Sequence, residues 1–342
     1  MGPKMERKSY RVTKAGSLKR LKVVNENINE PAENEVCVEV KAIGLNFADV
    51  FTIMGLYKAA PKKDFIPGLE FSGIVYDKGR KVTDLEINQR VMGVIRFGAF
   101  TNRLNIDHNY LQALPDDWSF EEGAGFLVQA LTAYYAVVHL GNVSKNQTVL
   151  IHSAAGGVGI FVNRIAKKFS AYTIGTIGSS SKIDLLKKEN CDQIIVRSKD
   201  LKEQLKESLN GRELNLVMES IGGKVQKIGF DLLTPTGKMV IYGLTDYSSP
   251  TSSPNYIKLA YRFLTRPKVD GLTLVENNKS LMGFNLIWLY ERVDMLKEFL
   301  NKIKELEIGK PYIGHVFNFE ELPDAISLFQ SGNTKGKVII KV

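Results

Sequence analysis

From Val36 to Ala42 the chain reads VCVEVKA, with Val36, Val38, Val40 and Ala42 on one side of a period-2 pattern, which predicts a strand with one face on a core. Phe71 to Tyr76 runs toward the Lys78-Gly79 turn, and Arg90 to Ile95 follows the polar stretch Asp84 to Gln89. Strand-sized pieces separated by Gly, Pro, Asn and Asp describe an antiparallel or barrel-like region. No longer internal period suggests a solenoid.

From about Val128 the texture changes to apolar strands alternating with helical stretches, the pattern of a layered α/β domain with a parallel sheet. Six strands are predicted at Thr148 to His152, Tyr172 to Ile177, Gln193 to Val196, Leu214 to Met218, Lys238 to Tyr242 and Leu281 to Phe284. Crossover helices are predicted at Val158 to Phe169, Lys182 to Lys188, Leu201 to Leu209 and Lys224 to Leu233, and Ser248 to Pro254 reads as a surface loop. Leu286 to Lys304 is a further helical run. After Pro311 come short strands, a helix near Leu322 to Gln330 and a strand at Val338 to Val342. The expected division is a first domain over 1–128, an α/β domain over 129–285, and a tail over 286–342 that returns to complete the first. A separate C-terminal subdomain would give the same pattern.

At 342 residues the chain exceeds the roughly 250–300 at which single cores stop growing, which agrees with two domains. Its formal charge of +9 comes from Lys and Arg spread among acids, as in KIDLLKKE at Lys182 to Glu189, and reads as solvated surface. No aromatic and basic recognition motif accompanies it, so nucleic-acid binding would rest on charge alone. With only Cys37 and Cys191, neither a disulfide framework nor a cysteine-built zinc site is expected. The basic N-terminus leads into no apolar stretch, which predicts a cytoplasmic rather than an exported chain.

Thr148 to Phe169, TVLIHSAAGGVGIFVNRIAKKF, passes from an apolar strand through small residues straight into a helical pattern, the setting of a dinucleotide-binding turn. Ala154, Gly156 and Gly159 take the fingerprint spacing, with Ala in place of the first Gly. The run Ala155, Gly156, Gly157, Val158 and Gly159 is the candidate cradle: Gly156 permits close backbone approach, Gly159 permits helix packing, and the helix N-terminus offers N–H groups. About 20 residues on, where an NAD site offers a carboxylate to the ribose, this chain has Gly178-Ser179-Ser180-Ser181-Lys182 and no acid before Asp184. Ser179, Ser180 and Lys182 suit a 2′-phosphate, hence NADPH; the same serines also suit a helix cap. His152, at the end of its strand, reads as a neutral buried histidine rather than a base.

Several motifs in order, GLNFADVFTIMGLY (Gly44 to Tyr57), IPGLEFSGIV (Ile66 to Val75), LTAYYAV (Leu131 to Val137) and HSAAGGVG (His152 to Gly159), make the chain resemble the medium-chain dehydrogenase/reductase superfamily and its zinc-independent quinone oxidoreductases. ENNKSLMGFNLIWL, Glu276 to Leu289, is similar to the branch of synaptic vesicle membrane protein homologues. The resemblance implies a GroES-like, partly open β-barrel catalytic domain interrupted by a Rossmann doubly wound parallel-sheet domain. It also implies NADPH bound in a cleft, a homodimer through the Rossmann sheet edge, and reduction of quinones or related α,β-unsaturated carbonyls. Where zinc alcohol dehydrogenases carry ligands, this chain has Asn46 and Leu69, and no metal is expected.

Such a reaction requires donors for charge developing on oxygen. Asn46 and Tyr57 are the leading candidates, with Asp49 as organiser of the loop or its water; the resemblance extends proton donation to Tyr57. Each also fits a plainer role: Asn46 holding a turn, Asp49 capping a helix, Tyr57 packing with its hydroxyl wet. Thr132 is a candidate nicotinamide or diphosphate contact, Gly243 would let the cofactor cross the sheet edge, and Asn333 and Lys337 match a family region near NADPH. A second function class remains: an NADPH-binding scaffold or sensor whose basic surface makes a weak peripheral association with a membrane or partner. The aromatic tract Tyr242 to Phe263 suits either a pocket or such a face.

Overall fold

The protein is described from a computed structural model covering residues 5–248 and 250–342. The strands in chain order are β1 (Met5–Val12), β2 (Leu21–Ile28), β3 (Glu35–Gly44), β4 (Glu70–Lys78), β5 (Arg90–Val94), β6 (Arg103–Asp107), β7 (Leu111–Ala113) and β8 (Thr148–His152). They continue as β9 (Tyr172–Ile177), β10 (Gln193–Val196), β11 (Leu214–Glu219), β12 (Leu233–Ile241), β13 (Ser280–Gly283), β14 (Ile313–Asn318) and β15 (Lys337–Lys341). The helices are α1 (Phe47–Ile53), α2 (Phe120–Ala124), α3 (Leu127–Tyr134), α4 (Gly157–Lys168), α5 (Ile183–Lys188), α6 (Leu201–Leu209), α7 (Gly223–Leu232), α8 (Tyr256–Leu264), α9 (Gly271–Asn277), α10 (Val293–Glu305) and α11 (Leu322–Gln330).

Two compact units result. The first takes the chain up to Val128 together with 250–254 and 310–342; the second takes the remainder between Gln129 and Gly309. In the first, a seven-stranded sheet runs β14-β15-β3-β4-β5-β7, with β6 also on β3, beside a separate β1-β2 pair. Its alternation follows the sequence pattern: Val36, Val38, Val40 and Ala42 are all buried, and Phe71, Ile43, Val338 and Ile340 are completely so. The tail completes this sheet, since β15 pairs antiparallel with β3, Ile339 opposite Gly44. This is the GroES-like layer.

The second unit is a six-stranded sheet in the order β10-β9-β8-β11-β12-β13, with every pairing parallel. Order reverses between β8 and β11, the switch point outside which ligands bind in doubly wound sheets. On one face Leu150, Ile174, Val217 and Met239 meet Leu201, Leu205 and Leu209 of α6 and Ile228 of α7 in a single apolar cluster.

Two expectations change. The tail leaves the second unit at 310, not 286, because α10 buries Leu296, Phe299, Leu300 and Ile303, with Phe299 against Tyr134 and Tyr135. A helix can be read from its own periodicity, but which core its apolar face joins cannot. β12 begins at Leu233 rather than Lys238. The segment read as a surface loop is largely exposed over 250–253, and the Ser252 carbonyl accepts from the Leu18 amide at 2.8 Å and the Ser17 hydroxyl at 2.9 Å. Among the described residues no helix is long and apolar enough to cross a membrane.

Candidate functional site

In the first unit, Asn46 is the N-cap of α1, and its backbone N–H donates to Asp49 Oδ2 at 2.8 Å, closing the helix start. Its side chain faces two groups from remote strands. Nδ2 donates to Glu70 Oε1 at 2.9 Å and to the Gly44 carbonyl at 3.2 Å, while Oδ1 accepts from Lys337 Nζ at 3.0 Å. Lys337 is also in direct ion contact with Glu70, and both side chains are 1% exposed. Glu70 Oε2 accepts from the Val128 amide at 3.2 Å. Gly44 makes room for the pair: a Cβ there would lie 2.7 Å from Lys337 Cε and 3.0 Å from Glu70 Cγ, and far inside contact distance of the Ala124 carbonyl.

In this arrangement both Nδ2 protons of Asn46 are engaged, by the Gly44 carbonyl and by Glu70. The amide orientation is fixed, since a lysine only donates and a carboxylate only accepts. Lys337 lies on an interior strand rather than an edge, with its ammonium engaged by Glu70 and Asn46. Asp49 is buried at the start of α1, where the helix-cap role fits it. Desolvation pushes its carboxyl up to about 7; Glu70 adds to the rise, and the Asn46 amide and Lys337 oppose it. Tyr57 lies half-buried on the loop after α1. Glu70 escapes the sequence reading because a glutamate in IPGLEFSGIV has no marker until Lys337 is seen across from it.

In the second unit, β8 ends at His152, Ser153 turns through φ of 54°, and Gly156 caps α4. The Cβ that Gly156 lacks would meet only the Ser153 carbonyl, at 3.2 Å, so this edge of the turn is open to close approach. Gly159 is needed for packing: its Cβ would stand 2.5 Å from the Ser153 carbonyl and 2.7 Å from Ala154 Cα. Gly157 has a role that motif spacing does not contain, because the Gln129 amide occupies the space of its Cβ. Ala155 is buried in the turn and Val158 is half-buried in the first turn of α4. Thr132 is buried on α3. Gly243 faces Ser220, whose carbonyl would be 3.2 Å from a Cβ, so its missing side chain accommodates the neighbouring strand end.

At the adenosine end, the Ser179 hydroxyl accepts from the Ser181 amide at 3.3 Å and caps the turn before α5, while Ser180 is exposed and Lys182 is buried. Asn333 is exposed on the loop before β15, its amide donating to Ser331 Oγ at 3.2 Å. His152 is wholly buried and is pushed down to about 3 by desolvation and by Arg197, which keeps it neutral. Among the described residues no group of three or more His, Cys, Asp or Glu side chains is arranged to hold a metal ion.

Two outcomes follow from the first cluster. Lys337→Met strands the buried Glu70 carboxylate and is expected to lower unfolding free energy by about 3–5 kcal/mol, with partial recovery in Glu70→Gln/Lys337→Met; denaturant titration reads both. Asp49, with its folded value raised from 3.8 to about 7, contributes stability that is full below its unfolded value and lost as pH rises toward 7. Asp49→Asn is therefore expected to gain melting temperature relative to the wild type between pH 5 and pH 8, and a pH-independent gap between them would contradict the assignment.

Residues 32–156 match the alcohol dehydrogenase GroES-like domain family and residues 157–287 the zinc-binding dehydrogenase family. The synaptic vesicle membrane protein VAT-1 homolog of Homo sapiens is 30% identical over 314 residues, 91% of this chain and 79% of that protein. The Danio rerio protein of the same name is 30% identical over 90% of this chain, which spans 64% of its length, just under two thirds. The crystal structure of Escherichia coli quinone oxidoreductase complexed with NADPH superposes with a TM-score of 0.84 at 27% identity, covering 99% of this chain and 100% of that one. By the extent of its match to the human relative, and by the two domain families in sequence, this chain belongs to the VAT-1 homologue family of the medium-chain dehydrogenase/reductase superfamily.

Proposed function

We propose that this chain transfers hydride from NADPH to quinones or related α,β-unsaturated carbonyls without a metal ion at the reacting oxygen. The observation that carries the reading is the β8–α4 turn, open at Gly156, at the switch point of a parallel sheet. The likeness to a quinone oxidoreductase whose structure holds NADPH supports it. The donor set fits that cofactor: the first-turn amides of α4 have no intrahelical acceptors and suit a diphosphate, and the loop after β9 has hydroxyls and the Lys182 cation in place of a carboxylate. When bound, NADPH supplies the hydride.

The protein's own part is to hold groups in place and to move one proton. Ala155 through Gly159 with Thr132 would bind the cofactor's diphosphate and nicotinamide side, and Ser179, Ser180 and Lys182 would bind its adenosine end. Asn46, Asp49, Glu70 and Lys337 fix the start of α1 and so the segment leading to Tyr57. With the Asn46 amide engaged, the Tyr57 hydroxyl is the group assigned to donate a proton to the substrate oxygen.

Anaerobic oxidation of NADPH is expected to require a quinone or enone acceptor, and Tyr57→Phe is expected to lower kcat by about tenfold or more. No oxidation across a broad acceptor panel, despite NADPH binding, would refute the reductase reading; unchanged turnover in Tyr57→Phe would remove only the tyrosine.

Among the described residues β13 closes one end of the parallel sheet with its outer edge unpaired, and α8 and α9 leave Ile257, Leu264, Leu272 and Val275 largely exposed. A homodimer through this edge is part of the same reading. Sedimentation is expected to give twice 38.2 kDa, whereas a monomer at micromolar concentration would contradict it. The scaffold alternative draws on the same apolar face of α8, flanked by Lys258, Arg262 and Arg266; vesicle binding without hydride transfer would favour it.

A further inference from the structure

β11 ends at Glu219, and Ser220, Ile221 and Gly222 lead from it into α7, with Gly222 and Gly223 at φ of 95° and 58°. This loop leaves the carboxyl end of the sheet next to β8, beside the switch point. The acid folds back on its own loop: Glu219 Oε1 accepts from the Ile221 amide and, at 2.8 Å, from the Gly222 amide. Its other oxygen, Oε2, has no hydrogen-bond partner. Facing it at 3.6 Å is His152 Nε2, also without one, and both side chains are 0% exposed. A carboxyl that can donate and an imidazole nitrogen that can accept thus lie opposite each other in the interior of the second unit.

Their surroundings decide the charge state. Among the described residues no lysine or arginine forms an ion pair with Glu219. Arg197 acts on it from farther off: Nη1 donates to Thr176 Oγ1 at 3.3 Å, and Nη2 lies over Gly178, 3.2 Å from where a Cβ would be. Tyr242, just after β12 and hydrogen-bonded to Ser220, is a phenol pushed up by burial. From the helix side, α7 lays Gly229 over the imidazole, and its Lys224 and Lys227 are exposed. A carboxylate buried without a cation is unfavourable, and the group avoids that state by keeping its proton. Burial raises the Glu219 carboxyl to about 7, against the opposing pull of the Gly222 and Ile221 amides and of Arg197. His152, pushed down to about 3, is neutral in either case.

With Oε1 occupied by two amides, the proton of the neutral acid belongs on Oε2, and the imidazole is its acceptor. His152 Nδ1 is 2.9 Å from Thr176 Oγ1, a hydroxyl that can donate or accept, so the tautomer that frees Nε2 to accept is open to the ring. We propose that Glu219 and His152 form a proton-operated latch on the loop between β11 and α7: the neutral acid, hydrogen-bonded to Nε2, holds the loop against the sheet, and loss of its proton to solvent releases the loop toward water. Closure raises the carboxyl from its ordinary 4.5 to about 7, so the latch is fully set below 4.5, weakens as pH rises toward 7 and levels off above. The loop borders the crevice outside β8 and β11, so the order of that wall follows pH whatever occupies the crevice.

The test is amide hydrogen exchange in the full chain without cofactor, between pH 5.5 and pH 8, corrected for the intrinsic exchange rate. Protection of the Ile221 and Gly222 amides is expected to fall by about tenfold or more across that range. Glu219→Gln keeps an acceptor for the two amides and a donor for His152 Nε2, so it copies the neutral acid and is expected to hold protection at its pH 5.5 level throughout. His152→Leu removes the acceptor and is expected to lower protection at pH 5.5 more than at pH 8. Wild-type protection that stays flat or rises with pH, or a fall that persists in Glu219→Gln, would overturn the latch. The wild-type profile and Glu219→Gln decide this even where His152→Leu fails to fold.

Discussion

The ammonium of Lys337 against the carboxylate of Glu70 is the contact on which the first unit's functional end depends. Two charges with 1% exposure are tolerable only when paired and hydrogen-bonded, and here every polar atom of the Asn46 side chain is recruited to complete them. The three residues come from the loop before α1, the start of β4 and the start of β15, so the pair forms only when the tail has joined the sheet beside β3. A polar cluster of this kind orders a loop by requiring satisfaction. It stabilises little relative to an apolar core, but it permits only one arrangement of the chain around it.

The second unit handles charge in the opposite way. At the carboxyl ends of β9, β8 and β11 lies a buried polar row in which His152 Nδ1 is 2.9 Å from the Thr176 hydroxyl, while His152 Nε2 and Glu219 Oε2, 3.6 Å apart, have no hydrogen-bond partner. Burial and the neighbouring Arg197 guanidinium keep His152 uncharged. Asp49, in the first turn of α1, and Glu219, at the end of β11, are each raised to about 7 chiefly by burial. Both accept backbone amides there, which ties the shape of the loop to the burial of the acid.

The glycines of the turn divide the work more finely than motif spacing implies. Gly159 lets α4 approach β8, Gly157 yields its side-chain space to Gln129, and Gly156 has only the Ser153 carbonyl near its missing Cβ. Only Gly156 is therefore free to serve a ligand. The other two serve the packing that aims it, and an alanine at either would meet backbone or a buried amide.

By itself the sequence determined the two architectures, the parallel strands to within a few residues, the dinucleotide turn and the lack of an acid at the ribose position. Each of these is local: a period of two or of 3.6, a glycine at a fixed offset, a carboxylate present or missing in one loop. Tertiary structure alone decided where the tail rejoins, that Asn46 is consumed by Glu70 and Lys337, and that Arg197 overhangs Gly178. Those facts join residues 24, 291 and 19 positions apart, and nothing in a one-dimensional pattern records which distant charge will neutralise a buried one. The cost of an unpaired buried charge supplies that information, and it acts only once the chain has closed around the group.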